Sequence, residues 1–345
     1  MRAMVVRKYG APEVFEGREV PDPQPKAGEA LIRVKAIGVN FADLLQRMGV
    51  YPGTPKPPFV PGTEIAGVVE KITDSGGKPA EGEPLRVGEA VVAFTHFNAY
   101  AAWVAVPVRQ VYRLPAGLSF DDAAAIPVNY VTAYHSIFTM GNLQPGDRIL
   151  IHGAAGGVGV AAVQLARARG LVIFGTAGPT KQEYLRKIGV DHAIDYQKND
   201  FVEVVRKFAP DGIEMVMDPI GGKSFSRSYK CLGPTGRLVV YGLSAAAGPE
   251  GKRSLIRGVS ALAQTPRFHP MKLMSGNICV IGVSLTGLRS RGALLRAELA
   301  EIFRMYAAGK IKPVIGKSFP MAEAAAAHRF IQERKNIGKV ILTVK

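Results

Sequence analysis

The sequence predicts an α/β protein in which a doubly wound, parallel-sheet domain is inserted into a smaller, β-rich domain. Before residue 121 the chain carries short β-prone runs separated by Pro and Gly, which is typical of a compact, barrel-like β-domain. From Asp121 onward, apolar strand-like runs alternate with helical segments, and this alternation indicates parallel strands joined by helices. A strand–helix–strand pattern ending at Val340–Leu342 is interpreted as a return to the first domain.

In the β-rich part, an edge strand is predicted at the start of the chain, and a helix at Asn40–Met48 that ends at Gly49. The other predicted strands of this part are Ala30–Lys35, Ile65–Glu70, Glu89–Phe94 and Tyr100–Val106.

In the alternating part, the predicted strands are Arg148–His152, Leu171–Thr176, Ala193–Asp195, Met215–Asp218, Arg237–Gly242 and Ile278–Val283. The most regular helical segments are Val158–Arg169, Lys181–Ile188 and Leu294–Ala308. These elements predict a β-rich domain over residues 1–125, an inserted parallel-sheet domain over 126–284, and a return to the β-rich domain over 285–345.

Composition narrows the class of protein. The 345 residues are 47% hydrophobic and 21% charged, and no apolar run reaches the roughly 20 residues that span a bilayer. The first residues become charged too soon for a signal peptide, and two cysteines, Cys231 and Cys279, do not make a disulfide framework. We therefore expect a cytoplasmic protein whose cysteines pack in apolar surroundings.

The formal net charge of +16 is compatible with three kinds of partner: nucleic acid, an anionic membrane or an acidic ligand. Because the sequence contains no zinc finger, basic region with heptads or RNP-like strand, we expect no nucleic-acid partner. We interpret the charge mainly as a solvated basic surface, of which a part serves an anionic cofactor.

The most specific motif is the strand Arg148–His152 with the glycine-rich turn that follows it, which includes Ala155, Gly156, Gly157, Val158 and Gly159. In a Rossmann fold, glycines at such a turn let the backbone approach a pyrophosphate and let the next helix pack closely on the strand. The helix N-terminus then holds the phosphate charge. One departure is Ala154, which stands where the common pattern has its first glycine.

The end of the next predicted strand indicates which cofactor binds. NAD enzymes usually carry a carboxylate there for the ribose hydroxyls, whereas residues Thr176–Thr180 contain none. A carboxylate would repel a 2′-phosphate, and Lys181 would attract one. The sequence therefore predicts NADPH, although a surface lysine at a helix start is the plain alternative for Lys181.

Five segments, which include the glycine-rich turn, carry a family resemblance: Val39–Asp43, Val60–Glu64, Asn129–Tyr134, Ala154–Gly159 and Asn336–Lys339. Through them nearly the whole chain resembles the medium-chain dehydrogenase/reductases, in particular the quinone oxidoreductase (zeta-crystallin) branch. Met271–Met274 looks like the vesicle amine transport protein-like members of that branch. The resemblance implies a GroES-like catalytic domain with an inserted Rossmann domain.

The resemblance also indicates whether the chain can hold the zinc ion that some members of the family bind. Zinc dehydrogenases of the family have Cys where this chain has Asn40, and His where it has Thr63. Zinc needs thiolate, imidazole or carboxylate ligands that converge on it, and the chain has no cysteine cluster. We therefore expect no metal site of the family's kind.

The resemblance implies a set of site residues. It places four candidate catalytic residues at the nicotinamide: Asn40, Asp43, Tyr51 and Thr132. It places Lys181 and Tyr196 at the 2′-phosphate, and Gly242 and Asn336 beside the cofactor; the glycine-rich turn and Thr176 complete the cofactor-binding set. Plain alternatives remain for several of these, since Asn40 with Asp43 can cap a helix, Tyr51 can pack in a turn and Tyr196 can be surface.

We interpret the chain as a zinc-independent oxidoreductase that transfers hydride from NADPH to a quinone or an α,β-unsaturated carbonyl. Such acceptors delocalise the developing oxyanion, so the protein mainly supplies positioning, with donors such as Tyr51 or Asn40. Enoyl-thioester reduction is the rival reaction. The rival from another class is a non-catalytic lipid- or membrane-binding protein. It is favoured by the segment Glu250–Lys272, which is predicted to form a basic, amphipathic helix, although a helix beside the cleft with a solvated basic face is the plain alternative.

The predicted strand Ile278–Val283 falls at the far edge of the parallel sheet and is apolar. An exposed apolar edge is an aggregation hazard unless it is paired. The family resemblance suggests that two copies pair through it, so we expect a homodimer.

Overall fold

The computed structural model describes residues 1–73, 85–247, 255–288 and 290–345, and the side chains of all of these except 255–258. The strands are β1 (Arg2–Val6), β2 (Phe15–Glu19), β3 (Glu29–Val39), β4 (Glu64–Ile72), β5 (Ala90–Phe94), β6 (Trp103–Pro107), β7 (Val111–Arg113), β8 (Arg148–His152), β9 (Val172–Ala177), β10 (His192–Asp195), β11 (Ile213–Asp218), β12 (Leu232–Val240), β13 (Cys279–Gly282), β14 (Ile315–Pro320) and β15 (Lys339–Thr343).

The helices are α1 (Phe41–Met48), α2 (Phe120–Ala124), α3 (Pro127–Tyr134), α4 (Gly157–Arg169), α5 (Gln182–Lys187), α6 (Phe201–Phe208), α7 (Lys223–Tyr229), α8 (Leu255–Ala263), α9 (Pro270–Gly276), α10 (Gly292–Ala307) and α11 (Ala324–Gln332). A π-helical segment, His135–Met140, directly continues α3.

The inserted domain is built on a six-stranded parallel sheet in the order β10-β9-β8-β11-β12-β13. Numbered from β8, this is the order 3-2-1-4-5-6 of the doubly wound dinucleotide-binding folds. The strand order reverses between β8 and β11, so a ligand crevice is expected at the carboxyl ends of these strands.

The β-rich domain is a seven-stranded sheet in the order β14-β15-β3-β4-β5-β7, with β6 also paired to β3. The first part of the chain supplies β3 to β7, and the last part supplies β14 and β15. Strand β15 pairs antiparallel with β3, from Val340 opposite Val39 to Thr343 opposite Ala36. The predicted fold class, a GroES-like domain with an inserted Rossmann domain, is confirmed.

An apolar core continues from one sheet to the other. Buried Ala36 and Val92 of the β-rich domain belong to the same cluster as Val131 of α3 and Ile151 of β8. Helix α10 packs on α3, and thus on the parallel-sheet domain, although it follows residue 285. The chain joins the β-rich sheet again at β14, so the predicted boundary at residue 285 stays a prediction.

One predicted element is wrong. The segment Glu250–Lys272 was expected to form one basic, amphipathic helix, but its described part forms two, α8 and α9. Pro266 lies between them, and proline removes a helical hydrogen bond and disfavours helical backbone in the residue before it. Lys252 and Arg253, which carried part of the predicted basic face, lie outside the described residues.

Candidate active site

The glycine-rich turn joins β8 to α4, with Gly156 as the residue that precedes the helix in extended backbone. A side chain at Gly159 would collide with the carbonyl of Gly153, so only glycine permits this packing of helix on turn. The helix ends at Gly170, whose φ of 76° is left-handed. The first backbone N–H groups of α4 have no partner within the helix, and they lie at the carboxyl end of β8, where the crevice is expected.

Behind the turn, the ends of three neighbouring strands are joined by buried polar side chains. His152 Nδ1 lies 3.1 Å from Thr176 Oγ1, and His152 Nε2 lies 3.0 Å from Ser228 Oγ. Ser228 Oγ donates to Asp218 Oδ2 at 2.7 Å. The N–H of Gly153 donates to Thr176 Oγ1 at 3.3 Å. These contacts hold the turn in place and make His152 a hydrogen-bonded core residue.

Two cations meet beside the end of β9. Lys181 Nζ donates to the carbonyl of Asn336 at 2.5 Å, and Arg334 donates to the hydroxyl of Tyr196 at 2.8 Å. Burial lowers the pKa of Lys181, and the charge of Arg334 lowers it further. Two like charges near each other repel, and an anion close to both would relieve that repulsion. The structure joins Lys181 with Asn336 and Tyr196 with Arg334, so the role that the resemblance implies for Lys181, Tyr196 and Asn336 stays a prediction.

The segment after Arg334 also reaches the glycine-rich turn. Gly338 donates its N–H to the carbonyl of Ala155 at 2.9 Å, and Gly156 and Gly338 form a parallel β-bridge. Gly338 has a φ of 69°, and a side chain there would collide with the carbonyl of Val314. The next residue, Lys339, enters the core between the two domains, where it is 2% exposed.

A buried polar cluster surrounds the end of that lysine. Its ammonium donates to Asn40 Oδ1 at 2.6 Å and forms an ion pair with Glu64. Asn40 Nδ2 lies within hydrogen-bond distance of Glu64 Oε1 (2.7 Å), Thr63 Oγ1 (3.1 Å) and the carbonyl of Gly38 (3.3 Å). Since an amide carries two N–H hydrogens, Asn40 has none left for a substrate oxygen.

The same cluster positions helix α3. The second carboxylate oxygen of Glu64 accepts from the backbone N–H of Val128 at 2.7 Å, in the first turn of α3. One residue on, Asn129 lies against the glycine-rich turn, since a side chain at Gly157 would come 2.6 Å from its amide nitrogen. Thr132 follows one turn later and is 7% exposed.

Asp43 adjoins this cluster and is fully buried. Its Oδ2 accepts from the backbone N–H of Asn40 at 2.9 Å and from the Tyr100 hydroxyl at 3.2 Å. Thr63 Oγ1 lies 3.4 Å from its Oδ1. Burial raises the pKa of Asp43 to about 7. The bond from Asn40 N is the predicted capping contact, so Asp43 both caps α1 and belongs to the buried cluster.

Tyr51 lies apart from this cluster. Its hydroxyl is 3.2 Å from Thr286 Oγ1, which belongs to the segment after β13. The contact therefore joins the β-rich domain to the segment by which the chain leaves the parallel sheet. Gly242 lies after β12, where a side chain would come 2.8 Å from the carbonyl of Pro219. Of the four residues expected at the nicotinamide, the structure joins only Asn40 and Asp43 directly.

Sequence reasoning missed several polar residues that the structure places here. Glu64 and Lys339 belong to the segments that carry the resemblance, but no role was assigned to them. Tyr100, His328 and Arg334 were not singled out. The contacts of Tyr100, His328, Arg334 and Lys339 join residues that are between 57 and 299 positions apart along the chain, so local patterns contain no signal for them.

Comparisons with known proteins agree with this geometry. The family model described as an alcohol dehydrogenase GroES-like domain matches residues 26–116, and the one described as a zinc-binding dehydrogenase matches 188–342. The synaptic vesicle membrane protein VAT-1 homolog of Danio rerio is 37% identical over 350 residues, with 100% of this chain and 70% of that protein covered. Human quinone oxidoreductase is 31% identical over 354 residues, covering 99% of this chain and 97% of the relative.

The chain belongs to the medium-chain dehydrogenase/reductases, in their zinc-independent, quinone oxidoreductase-like branch. Among solved structures, Escherichia coli quinone oxidoreductase complexed with NADPH superposes with a TM-score of 0.87 at 30% identity, with both chains fully covered. The CurK enoyl reductase superposes with a TM-score of 0.83 at 27% identity and covers 100% of this chain and 99% of its own. The parallel-sheet domain is thus an NAD(P)-binding Rossmann domain, and the family supports oxidoreductase activity on small molecules.

The zinc-independent branch is consistent with the chemistry of the cluster. Asn40 and Thr63 stand where zinc dehydrogenases of the family have Cys and His, and the Lys339 ammonium lies within hydrogen-bond distance of Asn40. A second cation beside that ammonium would be repelled. Among the described residues, no group of three or more His, Cys, Asp or Glu side chains is arranged to hold a metal ion. In the same part of the chain, no helix combines the length and apolarity that crossing a membrane requires.

Proposed function

We propose that this protein reduces quinones or α,β-unsaturated carbonyls with NADPH as the hydride donor. The observation that carries the cofactor preference is the pair of cations, Lys181 and Arg334, beside the Tyr196 hydroxyl. No carboxylate occupies residues 176–180, so nothing there repels a 2′-phosphate. The glycine-rich turn, with Ala155, Gly156, Gly157, Val158 and Gly159, would hold the pyrophosphate, and Thr176, Gly242 and Asn336 would lie beside the cofactor.

The bound cofactor supplies the hydride, and the residues around the crevice supply position and hydrogen bonds. We propose Asn40 as a positioning residue, because its amide hydrogens are engaged by Glu64, Thr63 and Gly38. The Tyr51 hydroxyl, in contrast, makes one contact that a substrate oxygen can replace, to the exposed Thr286. Tyr51 is therefore the proposed donor to the oxygen that gains charge, and Asp43 and Thr132 are proposed to act at the same site without contacting Tyr51 directly.

The choice of acceptor can be tested with Tyr51→Phe, which removes the hydroxyl and keeps the ring. An enal or acyl thioester concentrates charge on one oxygen, so loss of a donor should slow it by roughly tens to hundreds of fold. A quinone spreads the charge, so its reduction should fall by less than about tenfold. Steady-state kinetics with both acceptor classes, with NADPH affinity as the control, measures this.

Equal losses for both classes, with NADPH binding intact, would show that Tyr51 only packs. Wild-type turnover of acyl thioesters well above that of quinones and enals would favour the enoyl-thioester reaction instead, to which the likeness to the CurK enoyl reductase gives support. A wild type that binds NADPH and reduces none of these acceptors contradicts the proposed activity.

One observation favours a second candidate function, weak contact with an anionic membrane. Helices α8 and α9 expose Val259, Leu262, Met271 and Met274, each at least 60% exposed, with Arg267 and Lys272 in the same segment. An apolar surface with flanking cations can lie on an anionic bilayer. Sedimentation with phosphatidylserine vesicles, against neutral vesicles as the control, tests it; equal recovery in both pellets rejects it.

A further inference from the structure

A buried carboxyl group beside the proposed substrate crevice has an incomplete set of partners. Asp43 is fully buried, yet the ammonium of Lys339 bonds to Glu64 and Asn40 and not to Asp43. The donors to Asp43 are neutral: the backbone N–H of Asn40, the Tyr100 hydroxyl and the Thr63 hydroxyl. A buried carboxylate without an ion-pair partner favours its protonated form, which is why burial raises the pKa of Asp43 to about 7.

The other titratable groups around Asp43 come from four elements. Arg47 lies on α1 itself, Glu64 on β4, Lys339 on β15 and His328 on α11, while Tyr100 precedes β6. Burial lowers the pKa of His328 well below its usual value and raises that of Tyr100 well above it. Both side chains are therefore neutral near pH 7, and their contact of 2.9 Å holds the Tyr100 hydroxyl on Asp43.

Thr63 connects this acid to the outside of the cluster. It is half-buried, whereas Asp43 is fully buried and Asn40 is 6% exposed. Its Oγ1 lies 3.1 Å from Asn40 Nδ2, which can only donate, and 3.4 Å from Asp43 Oδ1. The longer contact is typical of catalytic hydrogen bonds before a substrate is bound.

Two arrangements of hydrogens satisfy this geometry. When Asp43 is ionised, the Thr63 hydroxyl donates to Oδ1. When Asp43 is protonated, Thr63 Oγ1 accepts from both Asn40 and Asp43, so its own hydrogen has to point away from the cluster. The second arrangement holds one proton more than the first, and it becomes the first when Thr63 gives up its outward hydrogen and takes the proton of the carboxyl group.

We propose that Thr63 and Asp43 form a proton-delivery path, in which the Thr63 hydroxyl protonates the reduced acceptor and Asp43 replaces that proton. The proposal rests on the proposed function, because the acceptor gains a hydride with its electron pair and needs one proton to become neutral product. The Thr63 O–H bond breaks as the product O–H bond forms, and the Asp43 O–H bond breaks as the Thr63 hydroxyl is restored. Asp43 is left as a carboxylate, bonded by Asn40 N–H and Tyr100, until a solvent proton returns through Thr63.

The acid form of Asp43 is present below about pH 7 and is lost as the pH rises through that value. Reduction of an enal by the wild type should therefore slow as the pH rises above 7. Thr63→Val, which replaces the hydroxyl by a methyl group of the same shape, should be tens of fold slower below pH 7 and lose this pH dependence. Thr63→Ser keeps a hydroxyl and should restore most of the rate. Thr73→Val, whose hydroxyl bonds the carbonyl of Pro25 away from the cluster, is the matched control.

A second readout needs neither cofactor nor turnover. Infrared or carbon-13 NMR titration of the cofactor-free protein should show a carboxyl group that ionises near pH 7 and is missing from Asp43→Asn. In Thr63→Val its midpoint should rise, since the carboxylate has lost one donor. If Asp43 is already ionised at pH 5, or if its titration midpoint is the same in Thr63→Val as in the wild type, the proposed path is wrong.

The two hypotheses fail in different ways. A wild type that reduces no acceptor overturns the proposed function, and the path with it. A wild type that reduces acceptors while Thr63→Val keeps both its rate and its pH profile overturns the path alone. If Asp43→Asn does not fold, the Thr63 variants and their titrations still decide the question, because Thr63 is only half-buried and Thr63→Ser keeps the hydroxyl.

Discussion

At the scale of single residues, the proposed preference for NADPH depends on two positively charged side chains. Lys181 and Arg334 are brought to the same place from different parts of the chain, one before α5 and the other after α11. The first could be predicted, because the absence of a carboxylate after β9 directs attention to the nearest cation. Arg334 could not, because its contact with Tyr196 spans 138 residues.

These two cations lead to a prediction on cofactor selectivity. Lys181→Ala should weaken NADPH binding by about 1.5–3 kcal/mol, as expected for a hydrogen bond to a charged group, and leave NADH binding nearly unchanged. Arg334→Ala should act in the same direction. Fluorescence titration with both cofactors measures the difference.

The matched control is Lys187→Ala, which removes an exposed cation from the same helical region. It should affect neither cofactor by more than a few tenths of a kcal/mol. Equal losses for NADPH and NADH in Lys181→Ala, or a wild type that prefers NADH, would contradict the assignment of a 2′-phosphate site.

At the scale of elements, β15 completes the β-rich sheet and also inserts a cation between the domains. Lys339 is 2% exposed and Glu64 is fully buried, so each charge depends on the other for compensation. Removing one partner of a buried ion pair leaves an uncompensated charge, which costs more than the pair itself contributes.

Lys339→Met should therefore destabilise the protein by about 3–5 kcal/mol. The double variant Lys339→Met, Glu64→Gln should recover most of that loss, because no buried charge then remains. Lys335→Met, which removes an exposed lysine paired with Glu333, should change stability by less than about 1 kcal/mol. Urea denaturation of the wild type and the three variants measures these values. A Lys339→Met variant that is as stable as the wild type would show that Glu64 finds another partner.

The elements also show what the sequence can and cannot predict. The predicted Arg148–His152 is observed as β8 without change, and Val158–Arg169 begins one residue early, because apolar periodicity and a closing glycine are local signals. The segment around Pro266 was misinterpreted although a local signal, the proline, was present. The cluster of Asn40, Glu64 and Lys339 left no such signal, since its members meet only when β4 and β15 both pair with β3.

At the scale of the whole molecule, the parallel sheet ends at β13, which pairs with β12 and with no other described strand. Its side chains are exposed or half-buried, and Cys279 is exposed. The expectation that both cysteines pack in apolar surroundings is therefore wrong for Cys279, whereas Cys231 is buried. An unpaired apolar edge favours association, and a second copy of the same edge can pair with it across a two-fold axis. We propose a homodimer that extends the sheet in this way.

Light scattering should then report a dimer at micromolar concentration. Cys279→Lys places a charge on the edge strand and should shift the protein towards monomer, since edge lysines oppose strand pairing. Met140→Lys adds the same charge at an exposed position outside the sheet and should leave the dimer intact. A wild type that stays monomeric at this concentration contradicts the proposal.

The hydrogen bond between Lys339 and Asn40 spans 299 residues, and this separation has a consequence for biosynthesis. The chain is made from its N-terminus at about 5–20 residues per second, so β3 and Glu64 precede their partners on β15 by roughly 15–60 s. Throughout that interval the Ala36–Val39 part of β3 lacks its pairing with β15, and the Glu64 carboxylate lacks its cation. The β-rich domain, although most of it is translated first, therefore reaches its final form only after the Rossmann domain has been synthesised.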